Sequence, residues 1–114
     1  MGRHHDMPSE YKAMWLLALF DLPVKTKDQR KRYSRFRTGL LRLGFTMVQF
    51  SIYAQYCPSE EAAETKRRTI RSDLPGEGQV RLLAVTDKQF AKMEIFQGRT
   101  PTAPESEPQQ LTFF

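Results

Sequence analysis

One continuous apolar run lies near the start of the chain. Residues 13–21 (AMWLLALFD) are almost entirely apolar, and Pro23 follows closely. A run of this length predicts a strand that is buried on both faces near the centre of a sheet, although a short buried helix fits the same pattern. The proline predicts that the run ends near Leu22.

A helix is predicted next, because the apolar positions change to helical spacing. They recur at intervals of three, four and three residues and so share one helical face: Tyr33, Phe36, Leu40 and Leu43. Thr26 is suited to the N-cap, and Gly44 is a natural residue for the helix stop.

Two more strands and a second helix are predicted in the middle of the chain. Residues 45–57 are uncharged and rich in aromatic and β-branched types, which predicts two short strands with a tight break near Gln49–Ser51. Ser59 is a suitable N-cap for a helix to about Ser72, with acids in its first turns and bases in its last. The turn LPGEG at residues 74–78 then ends this helix.

The C-terminal third contains a strand and then less regular sequence. Residues 79–86 (QVRLLAVT) predict a strand, residues 86–88 a turn, and residues 89–97 a last short strand. Residues 99–114 are rich in proline and polar types, which predicts a linker followed by an apolar tail. Residues 1–12 are polar without a period and are interpreted as a flexible N-terminal extension.

The predicted elements occur in the order strand, helix, strand, strand, helix, strand, with an additional strand after them. This order predicts the α+β class and the ferredoxin-like βαββαβ fold for residues 13–98, with both helices on one face of an antiparallel sheet. The same fold supports many functions, so the function must be argued from side chains.

The composition narrows the classes of protein that remain. The chain has 114 residues, a size typical of one domain with its own core. Cys57 is the single cysteine, so no intramolecular disulfide can form and a cytoplasmic location is expected. No apolar run is long enough to cross a bilayer, so no membrane partner is expected. The sequence also lacks a Gly-rich phosphate loop, HExxH and G-x-S-x-G, which argues against cofactor enzymes and covalent hydrolases.

Positive charge is concentrated in one segment. The chain carries a net charge of +5, yet residues 25–42 contain eight Lys and Arg against a single acid, Asp28. With the apolar face turned inward, most of these cations must point to solvent, where they can follow nucleic-acid phosphates. An ordinary solvated helix face is the alternative, although such faces usually mix both signs. The candidate nucleic-acid-binding residues are Lys27, Arg30, Lys31, Arg32, Arg35, Arg37 and Arg42.

Asp21 is a candidate metal ligand because it ends the apolar strand and so lies at an edge of the sheet. One carboxylate alone is a poor metal site, but a two-fold dimer would bring a second copy beside it and complete a Mg²⁺ site. A turn aspartate before Leu22 and Pro23 is the alternative, and Asp21 considered by itself favours that alternative.

The last residues are a candidate docking segment. Leu111, Phe113 and Phe114 follow the predicted linker, and exposed apolar ends are costly unless they pack on something. They are expected either to dock on a partner, for instance by adding a strand to a sheet edge, or to form a disordered end.

Four segments together resemble the CRISPR-associated endoribonuclease Cas2 family of spacer-acquisition proteins. The segments are MWLLALFDLPVKT, RKRYSRFRTGLLRLGF, VQFSIYAQYC and LPGEGQVRLLAVTDKQFAKMEIF. They follow the family's order and spacing over about residues 11–98. They are most similar to the branch that accompanies single-effector (type II) systems.

The resemblance implies a ferredoxin-like homodimer that binds double-stranded DNA and bridges the CRISPR integrase during the acquisition of new spacers. Many family members are also described as Mg²⁺-dependent nucleases on single-stranded RNA or duplex DNA. Mg²⁺ is therefore the expected cofactor, and cleavage of single-stranded RNA or DNA is an alternative main role. A non-catalytic RNA-binding module is a further alternative.

The resemblance also assigns roles to individual residues of this chain. The family's metal-binding, catalytic aspartate falls on Asp21. Its basic residues on the first helix fall on Arg30 and Arg32, with Arg35 beside them, and its middle-strand motif falls on Ser51–Ile52–Tyr53.

Overall fold

The structure, a computed structural model, describes residues 12–108. Its elements are β1 (Met14–Asp21), α1 (Lys27–Arg42), β2 (Thr46–Gln49), β3 (Ile52–Cys57), α2 (Glu60–Arg71), β4 (Gln79–Thr86), α3 (Asp87–Ala91), β5 (Ile95–Gln97) and β6 (Thr100–Thr102). Four of the strands form an antiparallel sheet in the order β2-β3-β1-β4, which confirms the ferredoxin-like arrangement. Residues 1–11 of the expected N-terminal extension, and the tail residues Leu111, Phe113 and Phe114, lie outside the described residues.

β1 lies at the centre of the sheet, as its continuous apolar sequence predicts. It pairs with β3 on one side and β4 on the other, so that Leu16 is opposite both Gln55 and Ala84. On one face Leu16 and Ala18 are fully buried in the core that α1 and α2 complete, and on the other face Trp15 is buried as well. Successive side chains of a strand point to opposite faces, so burial on both faces removes the polar alternation.

α1 and α2 pack on the same face of the sheet, and local signals set where they begin. Thr26 and Gln29 form a capping box at the start of α1, and the Ser59 hydroxyl accepts a hydrogen bond from the backbone of Ala62 at the start of α2. The inward face of α1 is the predicted one: Tyr33, Phe36, Leu40 and Leu43. None of the helices in residues 12–108 has the length and apolarity needed to cross a bilayer.

The break between β2 and β3 falls at Phe50–Ser51, within the predicted span, although no glycine or proline is present there. Ser51 makes the turn possible by taking a φ of 63°, in the left-handed region. Its hydroxyl lies 3.4 Å from the Tyr33 hydroxyl, and its carbonyl accepts a hydrogen bond from Phe20 N at 3.1 Å. These contacts with α1 and β1 hold the strained residue in place.

The short helix α3 lies where the sequence predicts a turn and the start of a strand, and that prediction is wrong. Thr86 and Gln89 make a capping box, and the Trp15 indole donates a hydrogen bond to Asp87 Oδ1 at 2.7 Å. Phe90 then stacks on Trp15 with ring centroids 4.2 Å apart. The helix is stabilised because it buries Phe90 against Trp15 and Ala54 of the sheet.

The additional C-terminal strand is present, but it is shorter than predicted and lies outside the main sheet. β5 pairs with β6 in a separate antiparallel hairpin. β6 occupies Thr100–Thr102, which the sequence assigns to a linker, so the linker prediction is wrong there. Its Pro101 is opposite Phe96 in a hairpin of only two strands, where a missing backbone N–H is tolerated.

The sheet face opposite α1 and α2 is only partly covered. α3 packs over its Trp15 end, and four apolar side chains of the remaining area are partly or fully exposed: Leu17, Leu19, Ile52 and Leu83. We call these four residues the open face. Leu83 is 51% exposed, and Phe50 beside this area is 82% exposed. A contiguous apolar group of this kind marks an interaction surface more strongly than a single exposed leucine would.

The chain returns to the sheet after the β5–β6 hairpin. The Tyr56 hydroxyl donates a hydrogen bond to Glu107 Oε2 at 3.0 Å. Burial raises the pKa of Tyr56, and the nearby Glu107 carboxylate raises it further. Residues leading to the end of the described chain are thereby tied to β3.

Phe90→Ala tests whether α3 is an integral part of the core. Removing the ring leaves a cavity over Trp15, so we expect the free energy of unfolding to fall by about 3 kcal/mol in urea denaturation. Lys88→Ala in the same helix is the control, because Lys88 is exposed and its removal should change stability by no more than about 0.5 kcal/mol. A small effect of Phe90→Ala would show that α3 is peripheral.

Candidate nucleic-acid interface and metal site

The cationic segment predicted from the sequence forms α1 and the residues before it, and its basic side chains point to solvent. All seven candidate nucleic-acid-binding residues are at least partly exposed: Lys27, Arg30, Lys31, Arg32, Arg35, Arg37 and Arg42. They differ in what they contact. Within the described part of the chain, no ion pair involves Lys27, Lys31 or Arg42.

Two of the arginines are oriented by hydrogen bonds to uncharged acceptors. Arg30 Nη1 donates to the backbone carbonyls of Val24 and Lys25 at 3.2 and 3.0 Å. Arg37 Nε donates to the hydroxyl of Tyr53 at 2.8 Å, and Tyr53 itself is buried in the core. Each guanidinium has five N–H donors in a fixed fork, so these bonds set its direction and leave donors for another ligand.

Arg32 and Arg35 are already paired with carboxylates of the same chain. Arg32 Nη2 lies 2.5 Å from Glu77 Oε1, and Arg35 Nη2 lies 3.2 Å from Asp73 Oδ1. Both acids belong to residues 72–78 between α2 and β4, which we call the acidic loop. The middle of α1 therefore presents less free positive charge than the sequence alone indicates.

A second basic group lies on α2. Arg67, Arg68 and Arg71 surround Glu64, with nitrogen-to-oxygen distances of 3.1, 3.8 and 2.9 Å. The hydrogen bond from Arg71 is the main reason why the pKa of Glu64 lies below its usual value. Because three cations share one anion, this surface stays basic after pairing.

Asp21 ends β1 on the same side of the sheet as the open face. It is opposite Gln79 of β4 and lines a cavity of about 340 Å³ together with Phe50 and Arg81. The preceding residue, Phe20, points to the other side of the sheet and is buried among aromatic rings. The Asp21 side chain is exposed, so it can meet a ligand from solvent.

Asp21 is the one carboxylate among the residues that line this cavity. Across residues 12–108, no three His, Cys, Asp or Glu side chains form a group that could hold a metal ion. Mg²⁺ usually takes only one or two protein carboxylates, because waters and substrate phosphates complete its coordination. Asp21 supplies one carboxylate, while the Gln79 amide oxygen opposite it in β4 accepts a hydrogen bond from Arg81 Nη2 at 3.3 Å, so a second carboxylate would have to come from another copy of the chain.

Three side chains near these sites are not among the site residues predicted from the sequence: Arg81, Asp73 and Glu77. Arg81 could have been placed, because it alternates with Gln79 and Leu83 in β4 and so shares their face of the sheet. The acids could not, because Glu77 and Asp73 lie 45 and 38 residues from the arginines that they bind.

Comparison with known proteins identifies relatives over most of the chain. The model of the family described as CRISPR associated protein Cas2 matches residues 14–93, from β1 to just beyond α3. A protein of Flavobacterium psychrophilum named CRISPR-associated endoribonuclease Cas2 is 43% identical over 97% of this chain and 96% of its own length. Proteins of the same name from Parvibaculum lavamentivorans and Paracidovorax avenae are 42% and 39% identical over 89% and 95% of this chain and over 100% of each relative.

Gly78→Ala tests how the acidic loop is held beside Asp21. Gly78 has a φ of 73°, and a Cβ there would collide with the carbonyl oxygen of Asp21 and lie 3.0 Å from Leu22 Cα. We expect the free energy of unfolding to fall by about 3 kcal/mol in urea denaturation, because steric collision adds to backbone strain.

Gly76→Ala is the matched control for that substitution. Its φ of 85° imposes similar strain, but nothing lies within 4 Å of the added Cβ, so we expect a decrease of only about 1 kcal/mol. Equal decreases at the two positions would contradict the close approach of the loop to Asp21.

Proposed function

The chain belongs to the CRISPR associated protein Cas2 family, and we propose that it acts in spacer acquisition as a homodimer that binds double-stranded DNA and bridges the CRISPR integrase. The observation that carries this proposal is the basic face of α1, where seven cations point to solvent. The names of the relatives identify a CRISPR-related nuclease family, so cleavage is treated as a second candidate function.

The geometry of α1 suits the phosphate backbone of a duplex. Lys27 and Arg42 are the first and last residues of this helix, which is about 22 Å long at about 1.5 Å per residue. That length corresponds to about six base pairs at about 3.4 Å per step. Because one rigid helix carries all these cations, only their side chains, and not the backbone, must become ordered when they meet several phosphates. Contacts of this kind give affinity and position without reading sequence.

A dimer formed through the open face would be compatible with both candidate sites, the metal site at Asp21 and the nucleic-acid interface on α1. Leu17, Leu19, Ile52 and Leu83 would be shielded from water when a second copy packs on them, which favours association. A two-fold axis that passes near the Asp21 end of this face would bring two copies of Asp21 towards each other. The same arrangement would leave α1 of both protomers exposed on the outer surfaces.

Cleavage of a phosphodiester, in single-stranded RNA or in DNA, is the second candidate function, and the position of Asp21 favours it. When bound, Mg²⁺ would activate a water molecule and stabilise the charge that develops at phosphorus. Asp21 from each protomer would hold the ion, and Arg81 beside the cavity would attract the substrate phosphate.

Two further proposals concern partners. Leu111, Phe113 and Phe114 are proposed to dock on the integrase, as their apolar character suggests. A non-catalytic RNA-binding module is less well supported, because base stacking needs exposed rings and Tyr53 of the middle strand is buried on the helix side. Phe50, which is 82% exposed, is the ring on the sheet edge that such a module could use.

Charge reversal at Lys27 and Lys31 tests DNA binding by α1. These two lysines are exposed, one helical turn apart, and take part in no ion pair within residues 12–108. We expect the double variant K27E/K31E to bind a short DNA duplex at least about tenfold more weakly at moderate salt. The slope of log affinity against log salt, measured by fluorescence anisotropy, should become shallower by about 0.9 for each phosphate that the variant no longer neutralises.

The control for this variant is K88E/K92E. It changes the net charge by the same amount, at the same spacing, on exposed lysines in and beside α3 on the other side of the sheet. We expect it to retain most of the affinity. Equally weakened binding in the two variants would show that net charge, and not the α1 surface, governs binding.

Asp21→Asn and Leu83→Glu together test the paired metal site. Asp21→Asn removes the carboxylate, so we expect Mg²⁺-dependent cleavage of single-stranded RNA or duplex DNA to be abolished while the dimer and DNA binding persist. Leu83→Glu places a charge on the open face, so we expect it to abolish both dimer formation, measured by sedimentation, and cleavage. Cleavage that survives Asp21→Asn would remove Asp21 from the chemistry, and a Leu83→Glu dimer would move the interface elsewhere.

A further inference from the structure

Two of the arginines that DNA binding would use are bound by the chain itself. Arg32 and Arg35 lie on the exposed surface of α1, yet each has a carboxylate of the acidic loop on its Nη2 atom. Carboxylate and phosphate oxygens accept the same guanidinium hydrogen bonds. Glu77 and Asp73 therefore occupy donors that a phosphate would otherwise meet.

Glu77 is held at this position by more than its ion pair. Gln29 Nε2 lies 3.5 Å from Glu77 Oε2, while Gln29 Oε1 accepts a hydrogen bond from the backbone of Thr26 at the start of α1. The next residue, Gly78, packs against the backbone of Asp21 so closely that no side chain would fit. Packing of the backbone thus holds Glu77 beside α1 independently of its ion pair with Arg32.

The two ion pairs differ in their length and in their exposure to solvent. Arg32 and Glu77 are 2.5 Å apart and have side-chain exposures of 42% and 43%. Arg35 and Asp73 are 3.2 Å apart, with exposures of 77% and 55%. Solvent and salt screen the more exposed pair more strongly, so Glu77 is the stronger competitor of the two acids.

A small pocket is lined by both arginines. Its volume is about 90 Å³. Arg32, Arg35 and Asp73 form its polar part, and Phe36 and Pro75 contribute apolar surface. A pocket of this size that is lined by two arginines can admit a single phosphate group of a strand.

We propose that Glu77 and Asp73 are intramolecular competitors of nucleic-acid phosphate, and that a DNA strand displaces them from Arg32 and Arg35 when it binds. This inference rests on the proposed DNA-binding function. An isolated anion must displace a tethered carboxylate unaided, whereas a strand already bound at Lys27 and Lys31 delivers its next phosphates at high effective concentration. The acidic loop therefore favours closely spaced, polymeric phosphates over single ones.

Neutral replacements of the two acids test this competition in the full chain. We expect Glu77→Gln to bind a short DNA duplex about two- to fivefold more tightly than the unmodified protein, and Asp73→Asn to show a smaller gain. The slope of log affinity against log salt should become steeper by up to about 0.9 for each arginine released. Glu60→Gln is the matched control, because it removes the same charge from an exposed position in the first turn of α2.

The outcomes separate this proposal from the DNA-binding function. Equally tightened binding by Glu77→Gln and Glu60→Gln overturns the competition, because net charge then explains both. Weaker binding by Glu77→Gln also overturns it, because Glu77 would then be positioning Arg32 for phosphate. In both cases, salt-dependent binding by the unmodified protein leaves the DNA-binding function in place.

Two remaining outcomes complete the test. DNA binding that emerges only in the Glu77→Gln, Asp73→Asn double variant supports the competition and shows that it is strong. Absence of binding by every form, with normal thermal unfolding of each, contradicts the DNA-binding function and the competition together.

Discussion

Burial of β1 on both faces is the constraint on which the remaining structure depends. The strand is flanked by β3 and β4, covered on one face by α1 and α2, and covered at the Trp15 end of the other face by α3. It reaches solvent mainly at its C-terminal end, at Asp21. Packing therefore determines where the candidate metal ligand lies, and it displays that carboxylate from a rigid element, which is what a precise site requires.

Most of the fold follows from signals that are local in the sequence. The apolar run of β1, the helical spacing in α1 and the capping residues Thr26 and Ser59 each specify an element without reference to distant parts of the chain. α3 has such a signal only at its start, in the capping box of Thr86 and Gln89, because its stability depends on the contact of Phe90 with Trp15 across most of the sequence. Tertiary packing there overrides the weaker local pattern.

The same distinction applies to the candidate site. The basic character of α1 is visible as a count of charges, but the state of each charge is not, since it depends on which acid the fold brings near. Arg37 meets a buried tyrosine, Arg32 meets Glu77, and Lys27 meets no acid in the described part of the chain. A uniform run of cations in the sequence is therefore a graded surface in three dimensions, with free charge at its ends and compensated charge between them.

The register of β4 against β1 also limits which changes of length the chain can accept. Arg81 faces the Asp21 cavity and Leu82 faces the core only because Gln79 is opposite Asp21. One residue inserted after Gly78 would exchange these faces, directing an arginine towards α1 and α2 and a leucine towards solvent. Insertions before Gly78 leave the pairing intact. Natural variation in loop length should therefore concentrate on the N-terminal side of this glycine, and lengths should be uniform beyond it.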